Sequence, residues 1–186
     1  MKRACIVIVG FVTVAASSPT EKAERFVDEF GRTCLVANGD FEAMKTAVKS
    51  AGFSRQSYLD DRPSSLYAKH GRHIIVYRGA PDPEYKMYWP NCTLQTDYIP
   101  GGELSLLASV VERNLGLGNP TKSATCQGRP VLKWQTERNG RPETISLVDD
   151  VLVGDRNLRL GISPSTDEKP DCKNFKQKIV RKPSDS

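Results

Sequence analysis

Residues 131–151 read VLKWQTERNGRPETISLVDDV, and the centre of this stretch is Asn139-Gly140. Val131 to Arg138 and Glu143 to Val151 are strand-like runs on either side of it. Asn-Gly accepts positive φ at both positions, which a two-residue hairpin turn requires. The stretch therefore predicts two antiparallel strands folded on each other locally.

Working outward, the same grammar recurs. Leu66 to Lys69 and Arg72 to Arg78 read as strands around His70-Gly71, another hairpin-type dipeptide. Tyr85, Met87 and Trp89 alternate with Lys86 and Tyr88, predicting a half-buried strand that runs past Cys92 toward Thr96. Leu158, Leu160 and Ile162 begin a last strand. The β-rich segments 64–97 and 122–163 resemble two half-repeats in layout, although no residue-level repeat joins them.

Helices precede each β-rich segment. Ser18-Pro19-Thr20-Glu21 is a capping box with Pro at the first helical position. Ala23, Phe26, Val27, Phe30 and Cys34 follow at helical spacing, and Asn38-Gly39 ends the pattern. Asp40 caps a second helix carrying Phe41, Met44, Ala47, Val48 and Ala51, stopped by Gly52. A third spans about Gly102 to Leu115, with Leu104, Leu107, Ala108, Val111 and Leu115 on one face. The expected fold is α+β: an N-terminal helical hairpin and one central helix on a largely antiparallel sheet built from hairpins. The order lacks βαβ alternation, which argues against a Rossmann or α/β-hydrolase fold.

The ends are read separately. Met1-Lys2-Arg3 is a basic start, Ala4 to Ala16 is uncharged, and Val14-Ala15-Ala16 offers small residues for cleavage. This is the three-part pattern of a secretory signal over residues 1–16, too short to span a bilayer. Residues 17–165 form the expected α+β domain. Residues 166–186 form a polar tail with Lys173, Lys176, Lys178, Arg181 and Lys182, tied to the body through Cys172. Without Lys2 and Arg3 the formal charge falls from +5 to +3. So mild an excess gives the body no nucleic-acid footprint, and the tail reads as a solvated charge run.

Setting aside Cys5, four cysteines remain, Cys34, Cys92, Cys126 and Cys172. An even number in an exported chain reads as two disulfides, and three pairings are open. Cys34–Cys92 and Cys126–Cys172 are favoured, because each would close one half of the chain. No CxxC spacing points to zinc or redox chemistry.

Catalytic chemistry is poorly supported. His70 and His73 are the only histidines and belong to one hairpin, with no ligand at metal spacing nearby. Gly116-Leu117-Gly118-Asn119-Pro120 follows a helix, whose negative dipole end disfavours phosphate, so it reads as a helix stop. Asp60-Asp61, Asp149-Asp150 and Glu137/Glu143 are carboxylate pairs, with Glu137 and Glu143 able to face each other across the hairpin. Asn91-Cys92-Thr93 matches a glycosylation sequon, with a cysteine in its middle.

The aromatic group Tyr77, Tyr85, Tyr88, Trp89 and Tyr98 leaves an aromatic-basic surface over Arg78, Lys86 and Tyr88. Tyr, Trp and Arg are enriched at interface hot spots. The expected function is an exported, disulfide-stabilised binding protein, for example an inhibitor or immunity-type factor. Its partner would be another protein or an envelope polymer, with no nucleic acid, membrane span, metal or cofactor. The alternative is an envelope or glycan hydrolase using Asp149, Asp150 or Glu143. N-terminal sequencing of exported protein should return a chain beginning near Ser17; recovery of Met1 would overturn the signal reading.

Overall fold

The computed structural model describes residues 17–36, 39–56, 64–77, 92–97, 104–152, 155–165 and 172. The predicted signal segment therefore lies outside the described residues, as does the tail apart from Cys172.

The capping box forms as its residues dictate. Ser18 N–H donates to Glu21 Oε2 at 2.9 Å, and Glu21 N–H donates to Ser18 Oγ at 3.2 Å. Helix α1 (Pro19–Phe30) follows and buries Ala23, Phe26, Val27 and Phe30. The chain keeps turning through a wider π-helical segment, Gly31–Leu35, which carries fully buried Cys34 into the core. Asp40 Oδ1 accepts from Ala43 N–H at 2.7 Å and starts helix α2 (Phe41–Ser50). Helix α3 (Leu104–Leu115) buries Leu107, Ala108, Val110 and Val111, while Leu104 and Leu115 pack against the core.

Eight strands, counted among the described residues, form one antiparallel sheet. In chain order they are β1 (Ser54–Gln56), β2 (Ser64–Lys69), β3 (Arg72–Tyr77), β4 (Cys92–Asp97), β5 (Thr121–Ala124), β6 (Pro130–Arg138), β7 (Arg141–Leu152) and β8 (Asp155–Pro164). The spatial order is β1-β2-β3-β4-β8-β7-β6-β5. Each half of the chain thus gives helical structure followed by a four-stranded meander. The two meanders meet where β4 pairs with β8, with Leu94 opposite Leu160. The α+β class and the hairpin construction are those expected, and the half-repeat is visible in topology.

Both anticipated hairpins close with two residues. Lys69 pairs with Arg72 around His70-Gly71, and Arg138 pairs with Arg141 around Asn139-Gly140. The turn residues have φ of +46° and +73° in the first and +51° and +72° in the second. Positive φ at both positions is the type I′ geometry, whose twist matches the flanking strands. Gly71 and Gly140 take it at little steric cost.

Strand alternation then sorts the side chains. Tyr67, Ile74, Val76, Cys92, Leu94, Leu132, Trp134, Ile145, Leu147, Leu158, Leu160 and Ile162 join the helical core residues in one cluster. Each fully buried aliphatic side chain contributes about 1.5–3 kcal/mol. Cys34 and Cys92 form a disulfide inside this core, with Cα atoms 5.4 Å apart. Cys126 and Cys172 form the second, with Cα atoms 5.1 Å apart. Both favoured pairings are present.

Strands β1 and β5 were not anticipated. They are three and four residues long, polar, and without an apolar alternation that could reveal them. The strand expected over Tyr85, Met87 and Trp89 lies outside the described residues.

Tyr67 is fully buried, yet among the described residues its hydroxyl has no hydrogen-bond partner. A buried hydroxyl without a partner costs about 1–3 kcal/mol of desolvation. Tyr67→Phe should therefore leave stability unchanged or raise it by about 1 kcal/mol in urea titration; a clear loss would mean that the hydroxyl is satisfied in solution.

Candidate binding face

The charged side chains on the helix side of the sheet hold the two layers together. Lys69 and Arg72 flank the first hairpin turn, and both reach Glu29 of α1. Lys69 Nζ lies 3.7 Å from Glu29 Oε1, and Arg72 Nη1 donates to Glu29 Oε2. Lys69 also donates to the Ala51 carbonyl at 2.6 Å, at the C-cap of α2. Its ammonium stands 5.4 Å from the centre of the Phe53 ring. A cation at a helix C-terminus opposes the negative dipole end and satisfies a terminal carbonyl.

The second hairpin does the same at the other half. Arg138 binds Glu143 with two nitrogens, Nε to Oε2 and Nη2 to Oε1, the latter at 3.1 Å. Its Nη1 donates to the Leu35 carbonyl, where the π-helical segment ends. Glu143 is only 6% exposed. Paired geometry of this kind adds direction as well as attraction. A rim of exposed contacts, Arg113 to Glu24 and Asn114 to Asp28, joins α3 to α1.

These contacts decide how the candidate carboxylates can be used. Glu143 lies opposite Thr136, whereas Glu137 lies opposite Pro142. Alternation puts Glu137 and Glu143 on opposite faces, so they do not form a pair across the hairpin. Glu143 is held by Arg138, and Glu137 is exposed. Asp149 is half-buried, pairs with Leu158 and takes part in an interaction of its own. Asp150 is the backbone partner of Asn157 in β8. On its other side Asn157 is partnered by Asp97 of β4. Asp60 and Asp61 lie outside the described residues.

The opposite face of the sheet carries a different set. His73, Gln95, Arg159 and Val148 lie in one cross-strand row, through the pairs His73–Gln95, Gln95–Arg159 and Arg159–Val148. All four are half-buried. The neighbouring row runs Ile75, Thr93, Gly161, Ser146 and Lys133. Gly161 adds no side chain to that row and is buried, as is Thr93. Asn157, one step along β8 from Arg159 on the same face, is 6% exposed. At the rim, Gln135 Oε1 accepts from Thr144 Oγ1 at 3.0 Å and from Ser165 Oγ at 2.9 Å.

Guanidinium, imidazole, amide and hydroxyl groups thus stand together on the paired central strands, whose backbone fixes their spacing. The chemistry suits recognition of a polar surface by hydrogen bonds. His73 has Ala68 and Gln95 as cross-strand partners, neither a hydroxyl to activate nor a carboxylate to orient the ring. His70 is exposed at the hairpin tip, as its sequence position implied. His73 lies in the returning strand, as its sequence position implied, and is half-buried there.

The surface anticipated over Arg78, Lys86 and Tyr88 lies outside the described residues. Gln95 and Arg159 were missed because neither is a motif residue. Only the strand pairing sets them beside His73. Among the described residues, no group of three His, Cys, Asp or Glu could hold a metal ion. Among the same residues, no helix is long and apolar enough to cross a membrane. No protein-family model, curated protein or solved structure matches the chain.

Arg138→Met should cost about 3 kcal/mol, because Glu143 is then buried without its cation and the Leu35 carbonyl loses a donor. Adding Glu143→Leu should restore most of that loss. Urea denaturation of both variants checks this; a double variant as weak as the single one would refute the clamp.

Proposed function

We propose that this chain is an exported, disulfide-stabilised binding protein that uses the sheet face opposite its helices. Its partner is another protein or an envelope polymer with a polar surface. The observation that carries the reading is the half-buried row His73–Gln95–Arg159 on the central strands. On the helix side, half-buried Glu29 and buried Glu143 are paired with cations of the fold itself. The two disulfides support an oxidising compartment. An inhibitor or immunity-type factor is the form of binding protein that this stapling fits.

One observation favours a second reading, a glycan hydrolase. Asp97 and Asp150 are the backbone partners of Asn157 on its two sides. Strand alternation gives these two residues register positions on one face, on the strands either side of β8, and glycosidases use a pair of carboxylates.

Retention of an envelope-fraction partner on immobilised protein tests the binding reading. A His73→Ala, Gln95→Ala variant with unchanged thermal stability should retain at least about tenfold less, a loss of about 1.4 kcal/mol. Equal retention would overturn the assignment of this face. Release of reducing ends from envelope glycan, abolished by Asp97→Asn or Asp150→Asn, would favour the hydrolase.

A further inference from the structure

The two disulfides stand in unlike surroundings. Cys34 and Cys92 are both 0% exposed and belong to the central core cluster. Thr33 Oγ1 lies 3.9 Å from Cys34 Sγ, and the bridge joins the π-helical segment to β4 beneath the helices. Cys126 and Cys172 are both partly exposed. Cys126 sits in the β5–β6 connection, where its neighbours Gln127, Gly128 and Arg129 are exposed.

That connection does not need the bridge to keep its shape. Thr125 N–H donates to the Arg129 carbonyl at 2.9 Å, and Gly128 N–H donates to the Thr125 carbonyl at 2.8 Å. Thr125 Oγ1 accepts from Gln127 N–H at 3.3 Å and from Arg129 N–H at 3.1 Å. Beyond it, β5 and β6 pair through four residues each. On the other side, Ser165 is fixed to the sheet independently, its N–H donating to the Pro142 carbonyl at 2.9 Å. Among the described residues, opening Cys126–Cys172 therefore removes none of these hydrogen bonds.

Thiol–disulfide exchange requires a thiolate to reach a sulfur of the bridge, so access governs which bridge opens first. We propose that Cys126–Cys172 is a thiol-cleavable tether, opened by a small dithiol while Cys34–Cys92 stays closed and the α+β body stays folded. The thiolate of the dithiol attacks one sulfur, forms a mixed disulfide and expels the other cysteine as thiolate. The second thiol of the reagent then displaces the first cysteine. Two electrons pass from the dithiol, which ends as its own cyclic disulfide; Cys126 and Cys172 end as thiols carrying its two protons. What this frees is the covalent hold on a segment whose sequence carries Lys173, Lys176, Lys178, Arg181 and Lys182. The inference rests on the burial of the two bridges and is independent of the binding reading.

The test treats the folded, oxidised chain with dithiothreitol under native conditions, traps thiols with iodoacetamide and maps the labelled cysteines by mass spectrometry. Near-UV circular dichroism follows the core in parallel. Cys126 and Cys172 should be labelled at least about tenfold faster than Cys34 and Cys92, with the near-UV signal unchanged. A Cys126→Ser, Cys172→Ser variant should fold with Cys34–Cys92 oxidised and show the same near-UV spectrum. Equal labelling of both pairs, earlier labelling of Cys34 and Cys92, no labelling short of unfolding, or a double variant that fails to fold would each overturn the proposal.

Discussion

The pairing of β4 with β8 is the contact on which the architecture depends. Each meander alone would be a four-stranded sheet with an exposed edge and an apolar face too narrow for the helices above it. Joined through Cys92–Ile162, Leu94–Leu160 and Thr96–Leu158, the two halves present one continuous apolar floor. Helices α1 and α2 close the floor of the first half, and α3 packs against α1 above it. The Cys34–Cys92 disulfide acts at this same place, since Cys92 is the first residue of β4. Its 58-residue separation corresponds to about 4 kcal/mol in the chain-entropy account.

The two hairpins use one physical device twice. Each type I′ turn ends in cations, Lys69 with Arg72 and Arg138 with Arg141, at positions where strand alternation sends the paired residues toward the helix layer. Lys69, Arg72 and Arg138 there hold a glutamate, and Lys69 and Arg138 also hold a terminal helix carbonyl. Desolvated pairs of this kind add little net stability compared with apolar packing, but they penalise any other docking of the helices. These charges thus serve the seam between the helix layer and the sheet.

Much of this was legible in local signals. Asn139-Gly140, the Ser18 capping box and the stripe from Ala23 to Cys34 each depend on residues within a few positions of one another, so sequence carries them directly. The disulfide pairing was legible because Cys34 lies on a core stripe and Cys92 on a strand that the stripe should cover. Strands β1 and β5 were not, since edge strands are held by backbone pairing with one neighbour and need no apolar alternation. The candidate face was hidden for a related reason. His73, Gln95 and Arg159 lie far apart in the chain, and only the register of β3, β4 and β8 brings them side by side. Glu143 shows the converse: a carboxylate that looked available for chemistry is consumed by Arg138, one hairpin turn away.

The central position of the last strand has a consequence for the order of assembly. The first meander can form as soon as its own residues are available, because its strand pairs are local. Its β4 edge, however, waits for residues 155–164, more than fifty positions later. Until then β4 presents unpaired backbone groups and the apolar Leu94, the kind of open edge that recruits other chains. Long-range pairing of this sort carries a loop-closure cost before it is rewarded, which slows folding. An incompletely synthesised or C-terminally truncated chain would therefore be prone to join a second copy edge to edge, through the strand that β8 normally covers.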